Sequence, residues 1–195
     1  MFLTLMFLGC GPKHAAPAGG DWFPMGEGSS WSYAATFNGN SYSETRVSLP
    51  VRLSDGEEAW VFVETDEVGS DIASVFTGSF GLGAYRRGAA GLETADAYYL
   101  EDVSALASGD FQPMLTLPPQ PGEAITWDTS SVDRGGGIKV EGYESVSVPA
   151  GTFEGCLKLS LGQESYAWLA PGVGLVKWVL VTGRIEELES FTRSR

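Results

Sequence analysis

From Trp31 onward the chain alternates. Trp31, Tyr33, Ala35 and Phe37 are separated by Ser32, Ala34 and Thr36, the period-2 pattern of a strand with one buried face. Asn38-Gly39 follows, a strong hairpin signal between two such runs. The return strand carries Val47 and Leu49 on one face and stops at Pro50. Around Asp55-Gly56 lie two further runs, 51–53 and 59–65, the second with Trp60 and Phe62 on one side and Val61 and Val63 on the other. Apolar residues on both sides predict a strand covered on both faces.

The second half is organised around two corners. Val148-Pro149-Ala150-Gly151-Thr152-Phe153 turns one strand into the next, and Ala170-Pro171-Gly172-Val173-Gly174-Leu175-Val176-Lys177 turns another. Pro followed closely by Gly fixes the backbone at each corner, so the order is strand, tight corner, strand, tight corner, strand.

Between the two halves the pattern weakens. Val75, Phe76, Phe80, Leu82 and Tyr85 fall among glycines, which predicts kinked or bulged strands. Residues 97–100 and 103–107 fit a strand followed by a helical turn. The segment 111–121 holds four prolines and is expected to run extended along an edge. Gly26-Glu27 before Trp31 is echoed by Gly122-Glu123 before Trp127, as if one device opened two strands. Asp133-Arg134-Gly135-Gly136-Gly137 lacks the Lys-Ser/Thr ending of a phosphate-cradling loop. Gly172-Val173-Gly174 precedes a β-rich run and no helix, so it is no dinucleotide fingerprint. The last periodic run, 184–192, is open between strand and helix.

The N-terminus has a different character. Met1 to Gly9 is apolar and far shorter than the roughly 20 residues of a membrane-spanning helix. It closes on Leu8-Gly9-Cys10, which resembles a bacterial lipoprotein signal in which the cysteine is acylated. No Lys or Arg precedes Cys10, which predicts a natural start upstream of Met1. The expected organisation is a signal segment over 1–9, an anchor cysteine and flexible tether over 10–20, and a single β domain over 21–195. The expected fold is all-β with a minor helix: a single antiparallel, strongly curved sheet or half-open β-barrel.

Composition narrows the chemistry. The chain of 195 residues is one domain's worth, and 43% hydrophobic with 19% charged residues describes a folded body. A net charge of −13 argues against a nucleic-acid partner, because phosphate binding needs a positive field. His14 is the single histidine and sits in the tether, which removes Ser-His-Asp triads, Cys-His pairs and multi-His metal sites. No metal and no cofactor are expected. Asp and Glu are scattered along turns and strand ends, with Glu154 and Glu164 read as exposed polar-face residues. A catalytic role is therefore not expected. Alternation sets Cys156 with Glu154, Lys158 and Ser160, opposite Phe153, Leu157, Leu159 and Leu161. A free, covered, inert thiol is expected there, with a reactive thiol as the alternative.

Phe23-Pro24 to Trp31, Gly122-Glu123 to Trp127 and the two corner motifs together give the chain a pattern that resembles the TapB-like group of exported bacterial proteins, which carry a domain of unknown function. The resemblance implies an envelope location and a mostly antiparallel domain curved like a half-open barrel. Related curved sheets include lipoprotein carriers that hold acyl chains. It carries no catalytic residues to transfer.

Two roles follow. The first is an envelope lipoprotein of non-catalytic binding or structural function, anchored by lipid on Cys10. Gly11 after Cys10 is not the acidic residue associated with inner-membrane retention, so the expected place is the outer membrane, facing the periplasm, with an envelope protein as possible partner. The alternative is a carrier whose concave sheet holds an apolar ligand such as a lipid or acyl chain, with Trp31, Trp60, Phe62, Phe76, Trp127 and Trp168 as the ligand face. The competing reading of those aromatics is ordinary core.

Overall fold

The computed structural model describes residues 20–64, 83–96, 103–127, 136–162 and 164–194. Cys10, His14 and the tether, Phe76 and its glycine-rich surroundings, residues 97–100 and most of the 133–137 loop lie outside them.

Among the described residues twelve strands form one sheet. They are β1 (Ser30–Phe37), β2 (Asn40–Arg52), β3 (Glu58–Glu64), β4 (Gly83–Arg87), β5 (Gly91–Asp96), β6 (Gln112–Thr116), β7 (Ala124–Trp127), β8 (Gly136–Val148), β9 (Gly151–Ser160), β10 (Tyr166–Ala170), β11 (Gly174–Val179) and β12 (Ile185–Thr192). All pairings are antiparallel, in the order β6-β5-β4-β3-β2-β1-β12-β11-β10-β9-β8-β7. Each strand therefore lies beside its sequence neighbour, except that β1 pairs with β12 and β6 does not pair with β7. The sheet curls until those two edges approach, giving a nearly closed barrel. Among the described residues the helical content is two short 3₁₀ turns, Val103–Ala105 and Ser108–Asp110.

Local chemistry explains most boundaries. Asn38 and Gly39 have φ of 51° and 77°, the paired left-handed geometry of a two-residue turn matched to strand twist. Thr36 and Phe37 lie opposite Ser41 and Asn40 across it. The Pro149-Ala150 corner joins β8 to β9, and the Pro171–Val173 corner joins β10 to β11. The proline-rich segment supplies β6, an edge strand as its composition requires. The run left open between strand and helix is β12, because β1 and β11 flank it and supply its backbone partners.

The echo between Glu27-Trp31 and Glu123-Trp127 is not one device used twice. Trp31 is the second residue of β1, whereas Trp127 lies at the last position of β7. Glu27 is exposed, while Glu123 spans the open seam: its carboxylate accepts from the Thr116 N–H at 2.9 Å and from the Thr116 hydroxyl at 2.5 Å. A side chain thus closes the gap that backbone ladders leave.

Hydrophobic burial forms three clusters, one of which groups Trp31, Tyr33, Val176, Trp178 and Leu188 with Val146 and Cys156. Inside the curl, Tyr85, Leu92 and Met114 from β4–β6 meet Ile138, Val140, Tyr143, Leu157 and Leu159 from β8 and β9. Outside it, Val61, Val63, Ala84 and Ala95 are covered by Leu106, with Phe111 against them. Strand β3 is thus covered on both faces, as its sequence predicts, with Ala59, Val61 and Val63 buried on the outer one and Trp60 and Phe62 half-buried on the inner one. The β8–β9 hairpin is bulged at 140–142 and 144–146, and its tip folds over β11 and β12, where the Ala150 N–H donates to Leu188 O at 2.8 Å. Between the bulges the register is regular, so Cys156 and its neighbour Leu157 point to opposite faces, and both are buried, Leu157 with Tyr143 and Leu159 and Cys156 in the cluster of Val146, Ala167 and Leu188.

Residues 21–24 cross one end of the barrel and dock on the second corner. The Gly172 N–H donates to Asp21 O at 2.6 Å, and the Trp31 indole donates to Val173 O at 2.6 Å. Gly174 has φ of +88°, and a Cβ there would stand 3.2 Å from Pro24 Cδ. Gly174→Ala is expected to cost about 1–3 kcal/mol of stability, read as a lower urea midpoint.

Candidate functional site

The inward face of β1 and β2 builds the site. Trp31, Tyr33 and Ala35 point into the barrel, and Arg46, opposite Trp31 on β2, points in beside them. Arg46 is 1% exposed, and its guanidinium lies 5.1 Å from the centroid of the Tyr33 ring. Its Nη1 donates to Glu186 Oε2 and its Nη2 to Glu44 Oε2, both at 2.8 Å. Arg184 completes a ring: its Nε donates to Glu186 Oε1 at 2.7 Å and its Nη2 to Glu44 Oε1 at 2.5 Å. Each carboxylate bridges two guanidinium groups. The two positive and two negative side chains sum to zero, which is how charge is tolerated in an apolar interior.

Electrostatics follow from the ring. Burial pulls the Arg46 pKa down, but Glu186 and Glu44 outweigh it, and the net shift is upward. Arg184 shows the same balance in a less buried setting. Burial pushes the Tyr33 phenol up, with Arg46 opposing, and its hydroxyl donates to Leu175 O at 3.1 Å. The Tyr143 phenol is pushed up to about 12 by burial, then by Glu123, and donates to Pro119 O at 2.6 Å.

Above the ring is a cavity of about 30 Å³ lined by Trp22, Phe23, Trp31, Arg46, Phe62, Tyr85 and neighbouring residues. That volume has room for about one water molecule and not for an acyl chain. Among the described residues, two buried donors on side chains that line this cavity have no hydrogen-bond partner, Arg46 Nε and the Trp22 indole Nε1.

The aromatic residues expected as one ligand face are divided among three settings. Trp31 and Phe62 meet inside the barrel in an edge contact, with ring centroids 5.4 Å apart. Trp60 lies at a rim cleft of about 420 Å³ shared with Glu57, Glu58, Arg86, Arg87 and Glu93. Trp168 lies on another surface, its indole donating to Glu144 Oε1 at 2.6 Å and Lys158 Nζ 5.0 Å from its ring centroid. Phe76 and the Trp127 side chain lie outside the described residues. Arg46, Glu186, Trp22 and Tyr85 were absent from the expected face. The signal available for the ring was two opposite-charge pairs at i, i+2 spacing, Glu44/Arg46 and Arg184/Glu186.

Cys156 is a free cysteine, fully buried. Burial pushes its thiol from 9.0 up to about 11, which leaves it protonated near neutral pH.

No family model matches the chain, and no curated protein matches it. Two solved structures do resemble it. One is a candidate lipoprotein from Parabacteroides distasonis, with TM-score 0.37 and 13% identity over 89% of this chain and 99% of that one. The other is a candidate exported protein with a YmcC-like fold from Bacteroides fragilis, with TM-score 0.36 and 14% identity over the same shares.

Two outcomes are expected. Glu186→Gln strips a charge from the ring and should destabilise the fold by about 3–5 kcal/mol; an Arg46/Glu186 double-mutant cycle in urea measures the coupling. Cys156 should resist a thiol reagent at pH 8 until the protein unfolds. Because its folded pKa is raised, its contribution to stability is complete below about pH 9 and is lost as pH climbs toward 11.

Proposed function

We propose that this protein is a lipid-anchored envelope protein of non-catalytic binding or structural role, held through Cys10 and facing the periplasm from the outer membrane. The observation that carries this reading is the docking of residues 21–24. Asp21 lies eleven positions after Cys10 and is fastened through the Gly172 N–H at 2.6 Å and through Arg87 at 2.5 Å. The folded body therefore begins where a short tether ends, at most about 35–40 Å of extended chain from an acylated cysteine. Several acyl chains at about 0.8 kcal/mol per buried methylene would anchor such a body firmly. Gly11 supports the outer membrane as destination. The strongly acidic chain is suited to protein partners or apolar ligands and not to nucleic acid.

A second reading, carriage in the barrel of an apolar ligand such as a lipid, is favoured by the aromatic and aliphatic lining of the cavity, where the unpartnered Arg46 Nε and Trp22 Nε1 would meet a polar atom of such a ligand. Buried donors without acceptors are uncommon in stable interiors.

The anchor is tested by expression with export. Intact mass should show a diacylglyceryl modification on Cys10, and Cys10→Ala should move the protein from the membrane to the soluble fraction with its fold unchanged by circular dichroism. An unmodified Cys10, with wild type already soluble, would sink the proposal.

A further inference from the structure

The end of the barrel away from the charged ring is stopped by the chain's own residues. Trp22 is 2% exposed, with its ring 5.9 Å from that of Tyr143, and Phe23 lies 6.3 Å from Tyr85. These two side chains belong to no strand, yet they pack with β4, β5, β8 and β9 as if they were core. What holds their backbone is polar and peripheral. Asp21 accepts from Gly172, from Arg87 at 2.5 Å and from the Phe23 N–H at 3.2 Å, with Arg193 3.8 Å away, and Arg87 also donates to Phe23 O at 2.9 Å. The segment is a strap with an aromatic stopper attached.

The chemistry beneath the stopper is selective. Arg46 Nε lacks an acceptor although both ends of its guanidinium are engaged. The ring around it is already neutral, so a third carboxylate would enter as an uncompensated charge, whereas an ester carbonyl or a hydroxyl oxygen would satisfy Nε without one. The walls above are aromatic and aliphatic, which suits a hydrocarbon chain. Departure of the strap would also return the Trp22 N–H to a polar setting.

We propose that the barrel interior is a self-occupied binding site for a neutral single-chain lipid with an ester or hydroxyl oxygen, in which Trp22 and Phe23 stand where the acyl chain goes and Arg46 Nε receives the oxygen. The strap swings out as the lipid enters. This rests on the carrier reading above and adds to it the gate and the ligand class.

The test uses the full chain with 1-monooleoylglycerol and oleate as probes, followed by native mass spectrometry and tryptophan fluorescence. Wild type should take up one monooleoylglycerol non-covalently and bind oleate at least about tenfold more weakly, the effect of one uncompensated charge. Asp21→Ala loosens the strap without touching the interior wall and should tighten monooleoylglycerol binding about 3- to 10-fold, because less of the population is closed. Arg46→Lys keeps the charge, removes the Nε donor and should weaken binding about tenfold. Equal affinity in wild type and Asp21→Ala would overturn the gate and leave the carrier reading standing. Oleate binding as tightly as monooleoylglycerol would overturn the ligand class. No adduct in wild type or in folded Asp21→Ala would end both the inference and the carrier reading.

Discussion

The pairing of β1 with β12 is the contact on which the rest depends. The other ladders join strands adjacent in sequence, and such hairpins form from local contacts at small loop-closure cost. Only β1–β12 brings the two ends of the body together, placing Trp31 opposite Phe191 and Ala35 opposite Glu186. Without it Arg46 on β2 could not reach Glu186, 140 positions away, and the charged ring would not exist. The same ladder positions Trp31 to donate to the β10–β11 corner, which in turn receives the N-terminal segment. One non-local pairing thus sets the curvature, the polar floor and the seat for the strap.

Curvature then decides how the interior is filled. The bulges in β8–β9 and between β10 and β11 shift side chains from strict alternation, and strongly bent strands use this to turn bulky residues inward. Aromatic contacts run from Phe191 through Trp31 and Phe62 to Tyr85, with successive centroids 5.3, 5.4 and 5.8 Å apart. Tilted and edge-on rings pack densely, so the barrel is nearly solid with its stopper in place.

The sequence was most legible where local chemistry decides the outcome. Asn38-Gly39, the two Pro-Gly corners and the proline-bearing edge strand each state their geometry in a few residues, and the structure has each. It was least legible where the third dimension decides. Val47 and Leu49 mark one apolar face of β2; in the barrel the opposite, polar face points inside, with Arg46 and Ser48 buried and Glu44 half-buried. Nothing local distinguishes a solvated Arg from one held by a carboxylate 140 residues away. The aromatic residues likewise share a composition but no common surface: Trp60, Trp168 and Trp31 differ in environment because their strands differ in position around the curl. Cys156 was expected to be covered on a half-polar face, and the folded-over hairpin tip supplies the cover.

The seam between β6 and β7 divides the molecule in a way its continuous appearance conceals. Strands β1–β6 and β7–β12 are two runs of six, each internally laddered from end to end and joined by ladder only along β1 and β12. A break in the chain between Thr116 and Ala124 would cut no strand; that segment is held by the Thr116–Glu123 bridge, by Tyr143 donating to Pro119 O at 2.6 Å and by backbone bonds of 122–123 with Val140 at 2.8 Å. The architecture is therefore that of a shell whose two halves are laddered along one line, where the first and last strands meet, and joined elsewhere by side chains, Tyr85, Leu92 and Met114 of one half packing with Ile138, Val140, Leu157 and Leu159 of the other. New termini are best tolerated at the seam between β6 and β7.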